Sequence, residues 1–263
     1  MGNKKGFDKI NIERENKKLS SNINNESPLL IKDVIFYKTE DLIKESYLNM
    51  EYVGETIENI IKNLLSKFKF SIKYRNFYAY LMREIARNVV EHSNSNELAI
   101  ILYSNNIKEF GFKVIDYGIG IMESLNSNPN YLVGDDKTAL AFAIRPGITK
   151  AWKKDPNRDD IWQNSGFGLF MVSTIVNEIG GRFEVASGKY KIIYKNGFRE
   201  YNRCNINGTE VTVVFDTSME INTLEIIKNA SIKGREYLKN NEKFSYYGKI
   251  KTASKASTLL KDE

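Results

Sequence analysis

Apolar residues recur along this chain with two different periods, and these periods separate helices from strands. Spacings of three and four residues predict helices at 41–48, 55–68, 76–92, 137–144 and 167–179, and from about 217 to 238. Short apolar runs predict strands at 29–37, 98–103, 110–115, 182–187 and 210–215. Helices and strands therefore account for most of the sequence between residues 29 and 238.

Polar segments separate the predicted elements, and two of these segments are long. Residues 1–28 are polar and aperiodic, which predicts a disordered leader. Residues 121–165 are largely polar and contain three of the four prolines. A loop of this length inside a compact domain usually serves a function or moves, so we expect this segment to be functional, mobile or both. A shorter polar stretch predicts a hairpin turn at 104–106, and residues 189–203 predict a hairpin that turns at Asn196-Gly197.

The predicted helix at 76–92 carries polar side chains at helical spacing on an otherwise apolar segment. Glu84, Asn88 and Glu91 share one face, and Ile85 and Val89 are among their apolar neighbours. Mg²⁺ binds oxygen ligands and usually keeps water and substrate phosphates among them. An Asn carbonyl can be such a ligand, and a carboxylate one turn away can orient or deprotonate a nucleophile. This helix is therefore a candidate site for a magnesium nucleotide.

Three motifs that contain glycine follow this helix. Asp116-Tyr117-Gly118-Ile119-Gly120 stands at the end of a predicted strand, Gly166-Phe167-Gly168-Leu169 at the start of a predicted helix, and Gly208-Thr209 before the last strand. Glycines at a helix start leave backbone N–H groups available to phosphate oxygens and let a ligand approach without a Cβ clash. The second motif therefore predicts phosphate binding.

The order E-x-x-x-N, D-x-G-x-G, G-x-G-L and Gly-Thr resembles the Bergerat-fold or GHKL ATPases over about residues 50 to 216. The segment EIARNVVEHS is similar to that of anti-sigma-factor serine kinases and stand-alone bacterial ATP-binding proteins. The resemblance implies an α+β two-layer sandwich, in which a mixed β-sheet is covered on one face by helices and carries a long ATP lid. The ATP-binding domain would span 29–216, with a buttress at 29–70, the lid at 121–165, and a C-terminal helix and basic tail at 217–263.

The resemblance also implies that the ligands are ATP and Mg²⁺. Asp116 would accept a hydrogen bond from the adenine amino group, Gly118 and Gly120 would let the base approach the backbone, and Thr209 would lie near the same base. Guanine carries a carbonyl where adenine carries this amino group, so the site would select adenine.

A second set of residues is implied for the triphosphate. Asn88 would ligate Mg²⁺, and Glu84 would be the general base that activates water or an acceptor hydroxyl. His92 is expected to support the site rather than to react. The residues expected to approach the phosphates are Thr149 and Lys150, in a segment similar to one of mismatch-repair and topoisomerase relatives, and Gly166, Phe167, Gly168 and Leu169.

Three functions follow from this interpretation. The first is a regulatory ATPase switch, in which ATP closes the lid and changes the affinity for an unidentified protein partner, for which the product of an adjacent gene and a second copy of the chain are candidates. The second is a serine/threonine kinase of the anti-sigma-factor type. A self-phosphorylating histidine kinase is excluded, because the only histidine, His92, lies in the proposed Mg²⁺ helix. The third is a nucleotide-gated, DNA-associated protein.

Charge and composition add little to these three hypotheses. The net charge is +6, but the chain is crowded with Asn, Lys and Ile, as an AT-rich genome would produce, so nucleic acid is the least favoured partner. The single Cys204 excludes an internal disulfide and favours a reducing cytosol. No N-terminal apolar run predicts a signal peptide, and no stretch approaches the roughly 18 apolar residues of a membrane span. We therefore expect a cytoplasmic protein with no membrane contact.

Overall fold

The structure is a computed structural model that describes residues 30–104, 108–151 and 165–241. These residues form five strands and seven α-helices. The strands are β1 (Leu30–Lys38), β2 (Glu97–Ser104), β3 (Glu109–Asp116), β4 (Arg182–Lys195) and β5 (Phe198–Asp216). The helices are α1 (Thr39–Leu48), α2 (Val53–Leu65), α3 (Ile72–Asn88), α4 (Gly120–Asn126), α5 (Asp136–Ala143), α6 (Gly168–Glu178) and α7 (Thr223–Asn240).

The five strands form one sheet in the order β1-β2-β3-β5-β4, and all four pairings are antiparallel. The expected mixed sheet is therefore wrong. The chain leaves β3, passes through α4, α5 and α6, and returns in β4, which runs in the same direction as β3. Strand β5 lies between these two strands, so the two parallel strands are never neighbours.

Helices cover one face of the sheet. Successive residues of a strand point to opposite faces, and alternate residues of β3, including Phe110 and Phe112, belong to the main apolar core. The same core contains Phe77 of α3 and Ile175 of α6, both fully buried. The fold is therefore α+β, in an arrangement compatible with a two-layer sandwich.

Most predicted elements are confirmed within a few residues, including Asp116 as the last residue of β3. Helix α3 begins four residues earlier than predicted because Ser71 caps it, accepting a hydrogen bond from the Tyr74 N–H at 3.4 Å. Helix α4 was not predicted. The leader at 1–28, the turn residues 105–107 and the basic tail from 242 onward lie outside the described residues.

The β4–β5 hairpin folds back on itself. Its turn at Asn196-Gly197 is confirmed, with φ of 52° and 78°, as a type I′ turn requires. The rings of Phe183 and Tyr194 lie 6.2 Å apart, whereas an extended strand would separate them by roughly 36 Å at about 3.3 Å per residue. The register shifts on both sides of Gly188, whose φ is +59°. The strand therefore bends sharply at Gly188.

The folded-back hairpin lies beside α5. The Asp136 side chain accepts a hydrogen bond from the Lys189 N–H at 2.9 Å, and Lys137 Nζ lies 5.0 Å from the centre of the Tyr201 ring. The bend in β4 therefore gives the middle of the predicted lid a surface to dock on. No helix among the described residues has the length and apolar character needed to cross a membrane.

Candidate functional site

A cavity opens between α3, the sheet and the segment that follows β3. About 820 Å³ of space lies between these elements when the solvent at the open mouth is included. Apolar side chains such as Ile85, Ile121 and Val211 form much of its wall. The residues expected at the nucleotide that line it are Asn88, Asp116, Gly120, Thr149, Lys150, Gly166, Gly168, Leu169 and Thr209.

A smaller pocket adjoins this cavity, and it contains two expected residues that the cavity lacks. Glu84 and Phe167 line the smaller pocket together with Asn88, Gly166 and Gly168, which line both. The motifs from α3 and from the start of α6 therefore meet where the two spaces join.

Polar residues on three neighbouring strands lie in a row beside the cavity. Asp116 of β3 lies opposite Thr209 of β5, and Thr209 lies opposite Ser187 of β4. Asp116 is 3% exposed and accepts a hydrogen bond from the Gly118 N–H at 2.8 Å. Burial raises the pKa of Asp116, and the hydrogen bonds from Gly118 and Thr209 oppose that rise. Asp116 and Thr209 of this row line the cavity, together with apolar residues of the same sheet such as Val211.

Close packing explains two of the glycines near Asp116. A Cβ on Gly118 would collide with the Ser93 carbonyl, and one on Gly208 would collide with the Asp116 carbonyl. Gly120 has a φ of +76° and does line the cavity. Gly118 is not among the described residues that line it, so the structure gives Gly118 a packing reason where the resemblance implied approach to a base.

A π-helical turn, Val89–Ser93, continues α3 and joins it to the segments around the cavity. The Ser93 carbonyl accepts the Ile119 N–H at 2.8 Å. The His92 carbonyl accepts hydrogen bonds from Ser124 Oγ at 3.2 Å and from Lys150 Nζ at 3.1 Å. Turns of this type often occur at functional sites. Here the turn binds two parts of the predicted lid, at Ser124 and at Lys150, to the helix that carries Glu84 and Asn88.

The glycine loop, Gly166 to Leu169, lies against Glu84 and Asn88 of α3 and is hydrogen-bonded to Gly147. Gly166 has a φ of +73° and accepts a hydrogen bond from the Gly147 N–H at 3.0 Å. A Cβ on Gly168 would lie 3.1 Å from Glu84 Oε2 and 3.7 Å from the Asn88 amide. A side chain at position 168 would therefore fill the space between the loop, the carboxylate and the amide. Phe167 is fully buried and anchors the loop to the core.

The lid segment 121–165 is described over 121–151 and at 165, and it is more ordered than its polar composition predicts. Leu125, Val133 and Ala139 form a small apolar core of its own. Buried Asn128 donates a hydrogen bond to the Thr149 carbonyl at 3.0 Å. Burial lowers the pKa of neighbouring Lys150, and Glu91 opposes that shift. Lys150 also lines the cavity, so the lid places the amino group of this side chain there.

Sequence reasoning missed Ser187. Its hydroxyl donates to the Gly208 carbonyl at 2.8 Å and accepts the Ile121 N–H at 3.0 Å, so it joins β5 to the start of α4. These partners are 21 and 66 residues away along the chain. No local pattern could therefore have identified it.

The donor set allows Mg²⁺ only together with a ligand. Among residues 30–104, 108–151 and 165–241, no three His, Cys, Asp or Glu side chains group as an all-protein metal site would need. Asn88 and Glu84 supply oxygen atoms beside the glycine loop. Mg²⁺ commonly binds through one or two protein oxygens plus phosphates and water. These residues fit that mode of binding.

Comparison of the sequence with protein-family models gives no match, and comparison with curated proteins gives none either. Any family assignment therefore depends on the motifs and on the geometry described above.

Proposed function

We propose that this protein is an ATP-binding protein of the GHKL superfamily with a Bergerat fold, and that it acts as a regulatory ATPase switch. One observation carries the proposal: motifs far apart in the sequence line one cavity and its adjoining pocket. These are the motifs that the resemblance assigns to base, metal and phosphate.

The end with Asp116 suits adenine. A carboxylate accepts hydrogen bonds and cannot donate them, so it pairs with an amino group and repels a carbonyl. Thr209 lies opposite it in the strand register. Apolar Val114 and Val211 line the cavity beside this pair and offer a surface for a flat ring.

The end with Asn88 and the glycine loop suits a magnesium triphosphate. Asn88 would hold Mg²⁺, which supplies positive charge to the phosphate oxygens when bound. The backbone N–H groups at the start of α6 would bind phosphate oxygens, and Lys150 would add a charge from the lid. Glu84 would accept the proton of the attacking water.

The lid makes a switch reasonable. Residues of the lid such as Ile121 and Lys150 line the cavity, so contact with a terminal phosphate could favour one arrangement of the lid. A ligand shifts such an equilibrium only by its differential affinity for the two states. ATP and ADP would then present different surfaces to a protein partner.

A serine/threonine kinase is the second candidate. Glu84 lies in a pocket beside the glycine loop, where it could serve an acceptor hydroxyl as well as water. Incubation with γ-labelled ATP and the product of an adjacent gene separates the two functions. Label on the protein partner indicates a kinase, and label only in free phosphate indicates an ATPase.

Calorimetry with ATP and with GTP, each with Mg²⁺, tests the nucleotide assignment. We expect the protein to bind ATP and not GTP. Asp116→Asn should weaken ATP binding about ten- to hundredfold, because a charged acceptor is lost. Asp216→Asn is a matched control, since Asp216 also ends a strand and accepts an N–H from the second residue after it, Ser218, at 2.8 Å. Unchanged ATP affinity in a folded Asp116→Asn protein would refute the adenine assignment.

A further inference from the structure

Arg83 is a fully buried arginine directly beside the proposed general base. Its side chain is 1% exposed, and its Nε and Nη2 atoms donate to Glu84 Oε1 at 3.2 and 2.8 Å. Its Nη1 atom donates to Oε2 of Glu58 in α2, and its guanidinium lies 5.0 Å from the centre of the Tyr80 ring. Buried charges of this kind persist only when they are paired, and here each side of the guanidinium has a carboxylate.

The pairing of Arg83 with Glu84 is not what a helix provides by itself. Adjacent residues of a helix point about 100° apart and do not face each other. The long planar guanidinium spans this angle because Glu58 holds it from the opposite side. Glu58 is 2% exposed and also pairs with Lys62 at 3.1 Å. Helix α2 therefore orients the arginine of α3.

Both N–H groups from Arg83 reach the same oxygen of Glu84. The other oxygen, Oε2, is the one that lies 3.1 Å from where a Cβ of Gly168 would be. The terminal torsion of a glutamate is broad, so the carboxylate would otherwise sample many rotations. Anchoring Oε1 turns Oε2 towards the glycine loop.

We propose that Arg83 is a positioning residue that holds the Glu84 carboxylate with Oε2 directed at the glycine loop, and that Glu58 holds Arg83 in turn. This inference rests on the proposed function, because it assigns Arg83 a role only through the base. Arg83 itself is not among the described residues that line the cavity or its adjoining pocket.

The test is ATP turnover by the full chain, with kcat expressed per ATP-binding site measured by calorimetry. Arg83→Met should lower kcat about ten- to hundredfold, the usual cost of a lost orienting contact, while the Kd for ATP stays within about twofold. Arg83→Lys should recover part of the rate, because it restores the charge without the two-donor contact. Arg182→Met removes a paired arginine on β4 and should leave kcat unchanged.

Combining Arg83→Met with Glu84→Gln separates positioning from a structural role. Glu84→Gln alone should lower kcat about 10²–10⁴-fold. Adding Arg83→Met to it should cost nothing further, because Arg83 acts only through the carboxylate. An equal fall in kcat in both backgrounds would make Arg83 a structural residue and overturn the inference.

Arg83→Met removes the cation beside Glu84 and leaves Glu58 with Lys62 alone, so this variant can impair folding. The double variant Glu58→Gln/Arg83→Met removes the negative charge of Glu58 together with the positive charge of Arg83. The local net charge therefore stays the same. The same fall in kcat is expected in this double variant. Full kcat in this folded variant would refute the positioning role while leaving the proposed function standing. A wild-type protein that binds ATP without turning it over would instead remove the role of Glu84, and with it that of Arg83.

Discussion

Asp116 illustrates, at the scale of a residue, how a binding group can cost stability. Burial raises its pKa, so the folded state binds the proton more tightly than the unfolded chain does. By linkage, the ionised group destabilises the folded protein at every pH above its folded pKa. This penalty fades as the pH falls towards the pKa of the unfolded chain.

Asp116→Asn should therefore raise the melting temperature of the nucleotide-free protein at neutral pH, although we expect the same change to weaken ATP binding. The amide keeps an acceptor for the Gly118 N–H and carries no charge to desolvate. The gain should shrink as the pH is lowered through the folded pKa. Thermal unfolding at several pH values measures this.

Asp216→Asn is the control of opposite sign. Hydrogen bonds from Ser218 lower the pKa of Asp216, so its carboxylate stabilises the folded state at neutral pH, and this contribution is lost as the pH falls through the folded pKa. A lower melting temperature is expected for Asp216→Asn. If Asp116→Asn also lowered the melting temperature, the hydrogen bonds to the Asp116 carboxylate would outweigh the cost of burying its charge.

Sequence reasoning succeeds for side chains that one element brings together. Glu84 and Asn88 are one helical turn apart, and both line the pocket beside the glycine loop. It fails for Ser187 and for the pairing of Arg83 with Glu58, because these contacts join separate elements. Glu91, which shares the face of Glu84 and Asn88, pairs with Arg87 at 2.9 Å, an i,i+4 contact that helical spacing allows. Long-range hydrogen bonds leave no local periodic signal.

At the scale of elements, the π-helical turn after α3 determines where the Asp116 loop sits. Gly118 lies so close to the Ser93 carbonyl that no Cβ fits between them. The neighbouring Ile119 N–H donates to the same carbonyl at 2.8 Å. The turn and the loop therefore form one unit, and the cavity wall depends on it.

Gly118→Ala should destabilise the protein by about 1–3 kcal/mol, the usual cost of forcing an extra carbon into a packed site. The obstacle is backbone, which cannot rotate away. Gly134→Ala is the matched control, because nothing lies within 4 Å of its Cβ position, and it should change stability by less than about 0.5 kcal/mol. Urea unfolding measures both. Equal stability of the two variants would mean that the turn and the loop can separate at little cost.

The spacing of apolar residues predicted most helices and strands, because an amphipathic pattern indicates which face of an element is buried. Sequence patterns did not predict α4, a short helix whose start is held by Ser187 through the Ile121 N–H. They also predicted a strand at 182–187 and a separate hairpin at 189–203, whereas β4 continues as one strand to Lys195, past a bend that Gly188 permits. Tertiary contacts decided these cases rather than local propensity.

At the scale of the molecule, the sheet order and the bent hairpin bring the lid and the cavity together. The mixed sheet was inferred from a resemblance and was wrong, because β5 separates β3 from β4. The lid docks on the hairpin through Asp136 and Lys189, and Lys150, further along the lid, donates to the His92 carbonyl. Of these three residues, Lys150 lines the cavity.

Hydrogen exchange of the whole protein should therefore divide the lid into two parts. Helices α4 and α5 have an apolar core around Leu125, so their protection should change little when nucleotide binds. Residues 145–151 and 165–168 border the proposed phosphate end, and their protection should rise with Mg²⁺ and a non-hydrolysable ATP analogue. The rise should be smaller with ADP, since only the γ-phosphate offers Lys150 and the glycine-loop amides a further contact.

The apo protein and Asp116→Asn at the same nucleotide concentration are the controls for this exchange experiment. Neither should show the rise, because the first holds no ligand and the second should bind it too weakly. The switch hypothesis needs a difference between ATP and ADP, because a ligand that contacts both lid states equally shifts nothing however tightly it binds. Equal protection at 145–151 by both nucleotides would therefore contradict the switch. A constitutive ATP-binding protein, or a kinase whose lid does not sense the γ-phosphate, would then account better for the same cavity.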